Sequence, residues 1–211
     1  MGSMAGELLE IVGEDFSDAG LPRQTWSRQH YTECSFRDAD LHGLRTEFTV
    51  FSGCDFTGAD LVDSHHFSSA FRSCMFTRTS LGHSRFRGTS LLGSVFVDCQ
   101  FRPMLIDEAD LTLVSMVGAD LRGVDFIDSR LRDANLVQAD MRGANLRSVD
   151  LFGARVEGLR LDGADLRGAH VDPGLWKAAS LDGAHVEQTQ AVAYATARGL
   201  VVEPAVTLSG R

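Results

Sequence analysis

Ala134-Asn135-Leu136-Val137-Gln138, Ala139-Asp140-Met141-Arg142-Gly143, Ala144-Asn145-Leu146-Arg147-Ser148, Val149-Asp150-Leu151-Phe152-Gly153: written in fives, this stretch decides the fold. The frame extends far beyond it. Of the 35 positions reached by counting in fives from Phe16 to Val186, 33 are Leu, Phe, Met, Ile, Val, Trp or Tyr, and only Thr46 and His66 break the run. Two residues before each such centre the chain is usually small, as at Ala39, Ala59, Ser64, Ser84, Ala109, Ala139 and Ala164. The frame never slips, so no loop interrupts it.

Helices repeat near 3.6 residues and strands at 2, so a sustained period of five means a repeat whose every unit turns a corner. Sorting the centres by every twentieth residue puts Phe16, Phe36, Phe56, Phe76 and Phe96 in one column and Leu21, Leu41, Leu61 and Leu81 in another. Like-on-like columns are what stacked twenty-residue coils select, each ring packing on the one about 4.8 Å above it.

The pattern A(D/N)LxG in Ala139–Gly143 and its neighbours resembles the pentapeptide-repeat family. The resemblance implies an all-β fold, a right-handed quadrilateral β-helix in which four pentapeptides make the four sides of a square coil. It divides the chain into a lead-in at 1–15, whose first three residues look like a cloning remnant, a β-helix at 16–186, and a C-terminal dimerisation helix and tail at 187–211. The first coil is expected to be imperfect and to act as a cap, because Glu14, Gln24 and Gln29 occupy small positions. Pro103 predicts a kink or a cis bond that splits the solenoid into two stacks. From Glu187 to Arg198 the period of five is abandoned for a helix rich in Ala and Gln, stopped by Gly199.

Cys34, Cys54, Cys74 and Cys99 all fall at the small inward position, where their role is that of alanine. The first three share a column whose spacing permits a disulfide, which a reducing cytosol disfavours. No apolar run approaches the roughly 20 residues of a spanning helix, so a cytoplasmic protein without a membrane partner is expected. There is no phosphate loop, nucleophile elbow or clustered metal-ligand motif, so neither an enzyme, nor a cofactor, nor a metal is expected. His66 reads as a tolerated polar centre.

Several segments sharpen the resemblance: Ser69–Cys74, Leu92–Val97, Gln190–Ala193 and above all Val171-Asp172-Pro173-Gly174-Leu175-Trp176-Lys177-Ala178-Ala179-Ser180-Leu181. They are similar to the mycobacterial fluoroquinolone-resistance group of the family, which, like this chain, lacks the outward loops of the related Qnr group. That resemblance implies a homodimer, joined at the C-terminal end, that binds DNA gyrase by mimicking duplex DNA, modulates supercoiling and protects the enzyme from fluoroquinolones. Direct contact with nucleic acid is not expected. The alternative is an interaction scaffold with another partner, since fold alone does not fix function.

Shape favours mimicry: about 8.75 coils at roughly 4.8 Å give a rod near 42 Å, and a dimer near 85 Å matches about 25 base pairs. Charge favours it less, since a 42 Å duplex carries about 25 phosphates against a net charge of −9. Residues 1–63 carry a balance of −8, residues 64–101 one of +3, and residues 102–211 one of −4. The candidate mimic surface is the set of acids one before a centre: Asp40, Asp60, Asp120 and Asp140 on one side, Asp110 and Asp150 on another, Asp125 and Asp165 on a third. Structural work at turns competes with that role, and Arg102, Arg122 and Arg142 form a ladder beside Asp120 and Asp140. Phe48 and Phe67 are a candidate apolar contact. Trp176, Val192, Tyr194, Ala195 and Leu200 are the candidate dimer interface.

Overall fold

The computed structural model describes residues 9–203. Residues 1–8, with the expected remnant at 1–3, and the tail from residue 204 lie outside the described residues. Within them the period of five becomes a two-in, three-out alternation. In Ala134–Gln138, Ala134 and Leu136 are buried while Asn135, Val137 and Gln138 are not. The second residue after each centre takes positive φ and turns the corner, as at Asp18, Asp38, Gly58, Ser73, Gly123 and Gly143. Glycine recurs there because left-handed backbone costs it nothing; at Gly58 a Cβ would also strike the Asp38 carboxylate.

Four corners close a coil, and each residue pairs in parallel with the one twenty further on, as in Asp15, Ser35, Asp55 and Met75. The result is a right-handed quadrilateral β-helix. Face 1 carries centres Phe16 to Trp176, face 2 Leu21 to Leu181, face 3 Trp26 to Val186 and face 4 Ile11 to Val171. Short strands form on face 4 (β1 Leu9–Val12, β3 Gln29–Thr32, β5 Val50–Ser52, β7 Ala70–Arg72), face 3 (β2 Thr25–Ser27, β4 Arg45–Glu47, β6 His65–Phe67, β9 Arg85–Arg87, β11 Leu105–Asp107) and face 1 (β8 Met75–Thr77, β10 Val95–Val97). Beyond β11 the ladder continues as single bridges.

Like-on-like packing holds inside. Phe36, Phe56, Phe76 and Phe96 are stacked with centroids 5.0, 5.1 and 4.6 Å apart in turn. Tyr31, Phe51 and Phe71 stack alongside at 5.1 and 4.7 Å. The two breaks in the frame sit one above the other: Thr46 Oγ1 and His66 Nδ1 hydrogen-bond at 2.8 Å, and His66 Nε2 bonds Ser64 Oγ at 3.0 Å. His66 is 2% exposed, and burial pulls its pKa down to about 3, so it is neutral at neutral pH. A polar centre is tolerated there because both ring nitrogens have partners.

Corners come in two kinds. A closed corner accepts a bond at the centre's carbonyl from the N–H three residues on, as in Ala39 N to Phe36 O (3.3 Å) and Ala144 N to Met141 O (3.0 Å). An open corner, on the short strands, lacks that bond. The freed carbonyl is met instead by a hydroxyl or thiol 23 residues later: Thr49 to Trp26 O (3.1 Å), Cys54 to Tyr31 O (3.5 Å), Cys74 to Phe51 O (3.5 Å), Thr89 to His66 O (3.2 Å) and Cys99 to Phe76 O (3.1 Å). On face 1 the two kinds follow the residue three after the centre, although on face 3 Ile106 opens before Ala109, whose N–H goes to Ser129 Oγ instead. Phe16, Phe36 and Phe56 precede Ala19, Ala39 and Ala59 and their corners close; Phe76 and Phe96 precede Thr79 and Cys99 and their corners open. This corrects the reading of the cysteines as alanine equivalents. All four are free thiols that donate to main-chain carbonyls, and burial holds Cys74 well above its usual pKa.

The Arg102–Pro103 bond is cis, but the solenoid is not split into two stacks. Face 2 loses the bridge between Gln100 and Asp120, while Ser90 to Asp110, Val95 to Ser115 and Leu105 to Asp125 run straight past it. A proline withdraws only its own N–H, so three intact faces carry the stack through. The first coil is imperfect as expected: Ile11, Phe16, Leu21 and Trp26 are only partly buried.

At the other end, helix α2 (Gln188–Ala197) lies over the last coil. Gln190 fastens it, donating to Leu166 O (2.7 Å) and Ala169 O (2.9 Å) while accepting from Glu187 N (2.9 Å) in a capping box. The sequence pattern did not announce α1 (Leu175–Ala178), a single helical turn after Pro173-Gly174 that replaces the corner following Trp176.

Candidate functional site: an acidic flank and an apolar end

Asp40, Asp60, Asp110, Asp120, Asp125, Asp140, Asp150 and Asp165 share one local geometry. In each, Oδ1 accepts the backbone N–H two residues on, at 2.9 to 3.3 Å. This Asx bond satisfies an N–H that the turn leaves free, so all eight do structural work. What distinguishes them is the second oxygen and its neighbours.

In the upper coils that charge is largely answered on the protein itself. Asp120 meets Arg102 at 2.7 Å and Arg122 at 2.8 Å; Asp140 meets Arg142 at 2.7 Å and Arg160 at 3.5 Å. Asp150 pairs with Arg132 at 2.9 Å and Asp165 with Arg167 at 2.6 Å. Hydrogen bonds from Arg122 and Arg167 hold Asp120 and Asp165 down to about 2. Asp125 takes the Asn145 amide at 2.9 Å. The Arg102–Arg122–Arg142 ladder therefore neutralises the acids beside it, as its spacing implied.

In the lower coils it does not. Among the described residues, Asp40, Asp60 and Asp110 have no cationic partner, and neither have the corner residues Asp18 and Asp38. Asp18, Asp38, Asp40 and Asp60 lie along face 2 and its edge with face 1, a vertical acidic flank. The corner acids Asp18 and Asp38 were not singled out from sequence; their twenty-residue spacing at a corner position was the available signal. Of the basic residues in the same coils, Arg37 pairs with Asp55 on face 1 at 2.8 Å, Arg23 and Arg28 stand at the two corners of face 3 and Arg45 on face 3 itself.

Phe48 and Phe67 are both exposed and in edge contact, centroids 6.2 Å apart, with Arg28 stacked over Phe48 at 5.6 Å. Phe48 adopts φ +50°, an uncommon conformation for a bulky side chain.

At the C-terminal end the candidate residues separate. Val192, Tyr194 and Leu200 are exposed, as are Val201 and Val202. Ala195 is half-buried. Trp176 is 2% exposed and does not present a surface: it supports Tyr194 edge-on at 6.2 Å, and Arg198 ties the two together by stacking on Tyr194 and donating to Trp176 O at 3.1 Å. Among the described residues no group of His, Cys, Asp and Glu is arranged to hold a metal, and no helix is long and apolar enough to cross a membrane.

Comparison with known proteins follows this geometry. The pentapeptide-repeats model matches in eight copies, over residues 34–65 and 129–168. The pentapeptide repeat protein MfpA of Mycobacterium tuberculosis is 53% identical over 95 residues, 45% of this chain and 52% of that protein, so the match spans about half of that relative's length. Among solved structures, full-length QnrB1, a plasmid-mediated fluoroquinolone resistance protein, superposes with a TM-score of 0.83 at 19% identity, covering 91% of this chain and 98% of QnrB1. HetL from the cyanobacterium Nostoc, involved in heterocyst differentiation regulation, gives 0.71 at 20% identity, covering 84% and 85%. At those identities the structural likeness speaks for the fold.

Proposed function

Because this chain belongs to the pentapeptide-repeat family, we propose that it is a DNA-mimicking protein that binds DNA gyrase, modulates its supercoiling and shields it from fluoroquinolones. The observation that carries this reading is the acidic flank of Asp18, Asp38, Asp40 and Asp60, carboxylates at regular axial steps on a stiff rod with no ion-pair partner among the described residues. A surface of that kind complements a basic DNA-binding groove. Of the bases in residues 64–101, Arg85 and Arg87 stand away from this flank on face 3 and Arg72 on face 4, while Arg78 stands at its upper corner, so the repulsion is reduced to one cation. The protein works as a non-enzymatic cytoplasmic homodimer joined through the apolar end around Val192, Tyr194 and Leu200, its two-fold axis doubling the rod.

Titration into a gyrase supercoiling assay tests this. Asp40→Lys with Asp60→Lys is expected to weaken inhibition by tenfold or more, a loss of about 1.4 kcal/mol or greater, with unchanged circular dichroism. No inhibition by the unaltered protein at a tenfold molar excess would favour the alternative, a scaffold for a different partner. That alternative draws its support from the upper coils, where Asp120, Asp140, Asp150 and Asp165 are already paired with arginines.

A further inference from the structure

The edge between faces 2 and 3 carries a feature of opposite sign to the acidic flank. Two shallow clefts of about 500 and 320 Å³ meet there, sharing Asp63 and His65. The lower is lined by Arg23, His42 and Arg45, the upper by His83, Arg85 and Pro103. Together they form one groove parallel to the axis, about 19 Å long over four coil steps. Three arginines and three histidines line it against a single acid, Asp63, which faces His42 at 3.9 Å.

The groove is arranged around its cations. Arg45, His65 and Arg85 stand in direct parallel register on β4, β6 and β9. Among the described residues, none of Arg23, Arg45 and Arg85 is ion-paired. Gly43 leaves room for Arg23 to lie along the groove; a Cβ there would stand 3.1 Å from Arg23 Cγ. Unpaired guanidinium forks about one and two coil steps apart along the axis suit phosphate oxygens. Face 3 then supplies what a bare phosphate site lacks. Phe67 projects from the same strand as His65, two residues and about 6.6 Å across the face, and Phe48 touches it edge-on with Arg28 above.

We infer that this groove binds a single-stranded nucleic acid, its sugar-phosphate backbone along Arg23, Arg45 and Arg85 and its bases on Phe67 and Phe48. An acidic peptide would satisfy the arginines but leave the exposed aromatic pair without a purpose, whereas every base offers a flat face to stack. At 3.4 Å per nucleotide or more, 19 Å holds about five nucleotides. The inference does not rest on the gyrase reading, and it replaces the expectation that the protein makes no direct contact with nucleic acid.

Fluorescence anisotropy with a labelled deoxythymidine 12-mer tests it. The full chain is expected to bind at about 50 mM salt with a log–log salt slope near −2, for three phosphate contacts at about −0.7 each. Arg45→Ala with Arg85→Ala should weaken binding at least tenfold and reduce the slope by about 1.4. Phe67→Ala should weaken it about tenfold with the slope unchanged. All three side chains are outward, and circular dichroism checks that the variants fold. No anisotropy change up to about 100 µM protein, a millimolar-scale affinity, overturns the inference. So does binding that ignores both arginine substitutions. Polyglutamate competing as well as the oligonucleotide, with Phe67→Ala without effect, overturns it in favour of an acidic-peptide site.

Discussion

Below Pro103 the rod turns many of its corners on three-residue strands whose freed carbonyls are met by Thr, Ser and Cys, around a core of stacked Phe and Tyr. Above it the corners close on themselves, the small positions are mostly Ala and Val, and the centres are mostly Leu. The charges shift in the same place: below, most acids and arginines are unpaired, Arg37 with Asp55 being an exception, and above, Asp–Arg pairs on shared faces predominate. One square coil thus admits two hydrogen-bonding solutions. The lower half leaves many centre carbonyls to Thr, Ser and Cys side chains, whereas the upper half closes most of them with backbone N–H groups.

Substitutions can break or sharpen that contrast. The largest expected effect is a cavity: Phe56→Ala, at a ring wholly buried between Phe36 and Phe76, should cost about 3–5 kcal/mol, and Leu136→Ala somewhat less, within about 2–5 kcal/mol. Guanidinium unfolding followed by circular dichroism compares them. If Leu136→Ala proves the more costly, the aromatic stack is not what distinguishes the lower half.

Next comes acid sensitivity. The folded His66 titrates near 3 because it is buried, and the unfolded one near 6.5. As pH falls below about 6.5 only the unfolded chain takes up that proton, so stability drops by about 1.4 kcal/mol per unit until about pH 3. Urea midpoints at pH 7 and pH 5 should therefore diverge more for the unaltered protein than for a His66→Phe, Thr46→Val variant. Equal divergence would show that other groups dominate.

The smallest effect is at a single open corner. Thr89→Val removes the 3.2 Å bond to His66 O and should cost about 1–2 kcal/mol through the unsatisfied carbonyl. Cys54→Ala, which loses a weaker thiol bond, should cost less than about 1 kcal/mol. Costs in the reverse order would remove hydroxyl strength as the reason for Thr at these positions.

The period of five and the twenty-residue columns made the fold legible, because they follow from what must point inward. The Arg102–Arg122–Arg142 ladder and the edge contact of Phe48 with Phe67 were legible for the same reason, being spacings on a known lattice. The role of the cysteines was not, because inward position alone does not say whether a carbonyl lies within reach. Thr46 and His66 looked like two separate lapses; their separation of twenty was the sign that they meet. Trp176 read as a surface because Pro173-Gly174 gave no warning that α1 would tuck it beneath Tyr194. The acidic flank was half legible, since sequence located the carboxylates but not which of them an arginine already holds.

Gln190 reaches back to the carbonyls of Leu166 and Ala169 from the helix that leaves the ribosome after every coil is complete. Each coil meets its neighbours at a chain separation of about twenty residues, so the rod can grow upward during synthesis, every new turn templated by the one below. Its growing rim is adhesive at each stage, and the same glutamine that tethers α2 is the stopper that ends elongation. A nascent chain that stalled before residue 190 would present an open rim to other unfinished chains, which makes the timing of the lid a matter of solubility as well as of architecture.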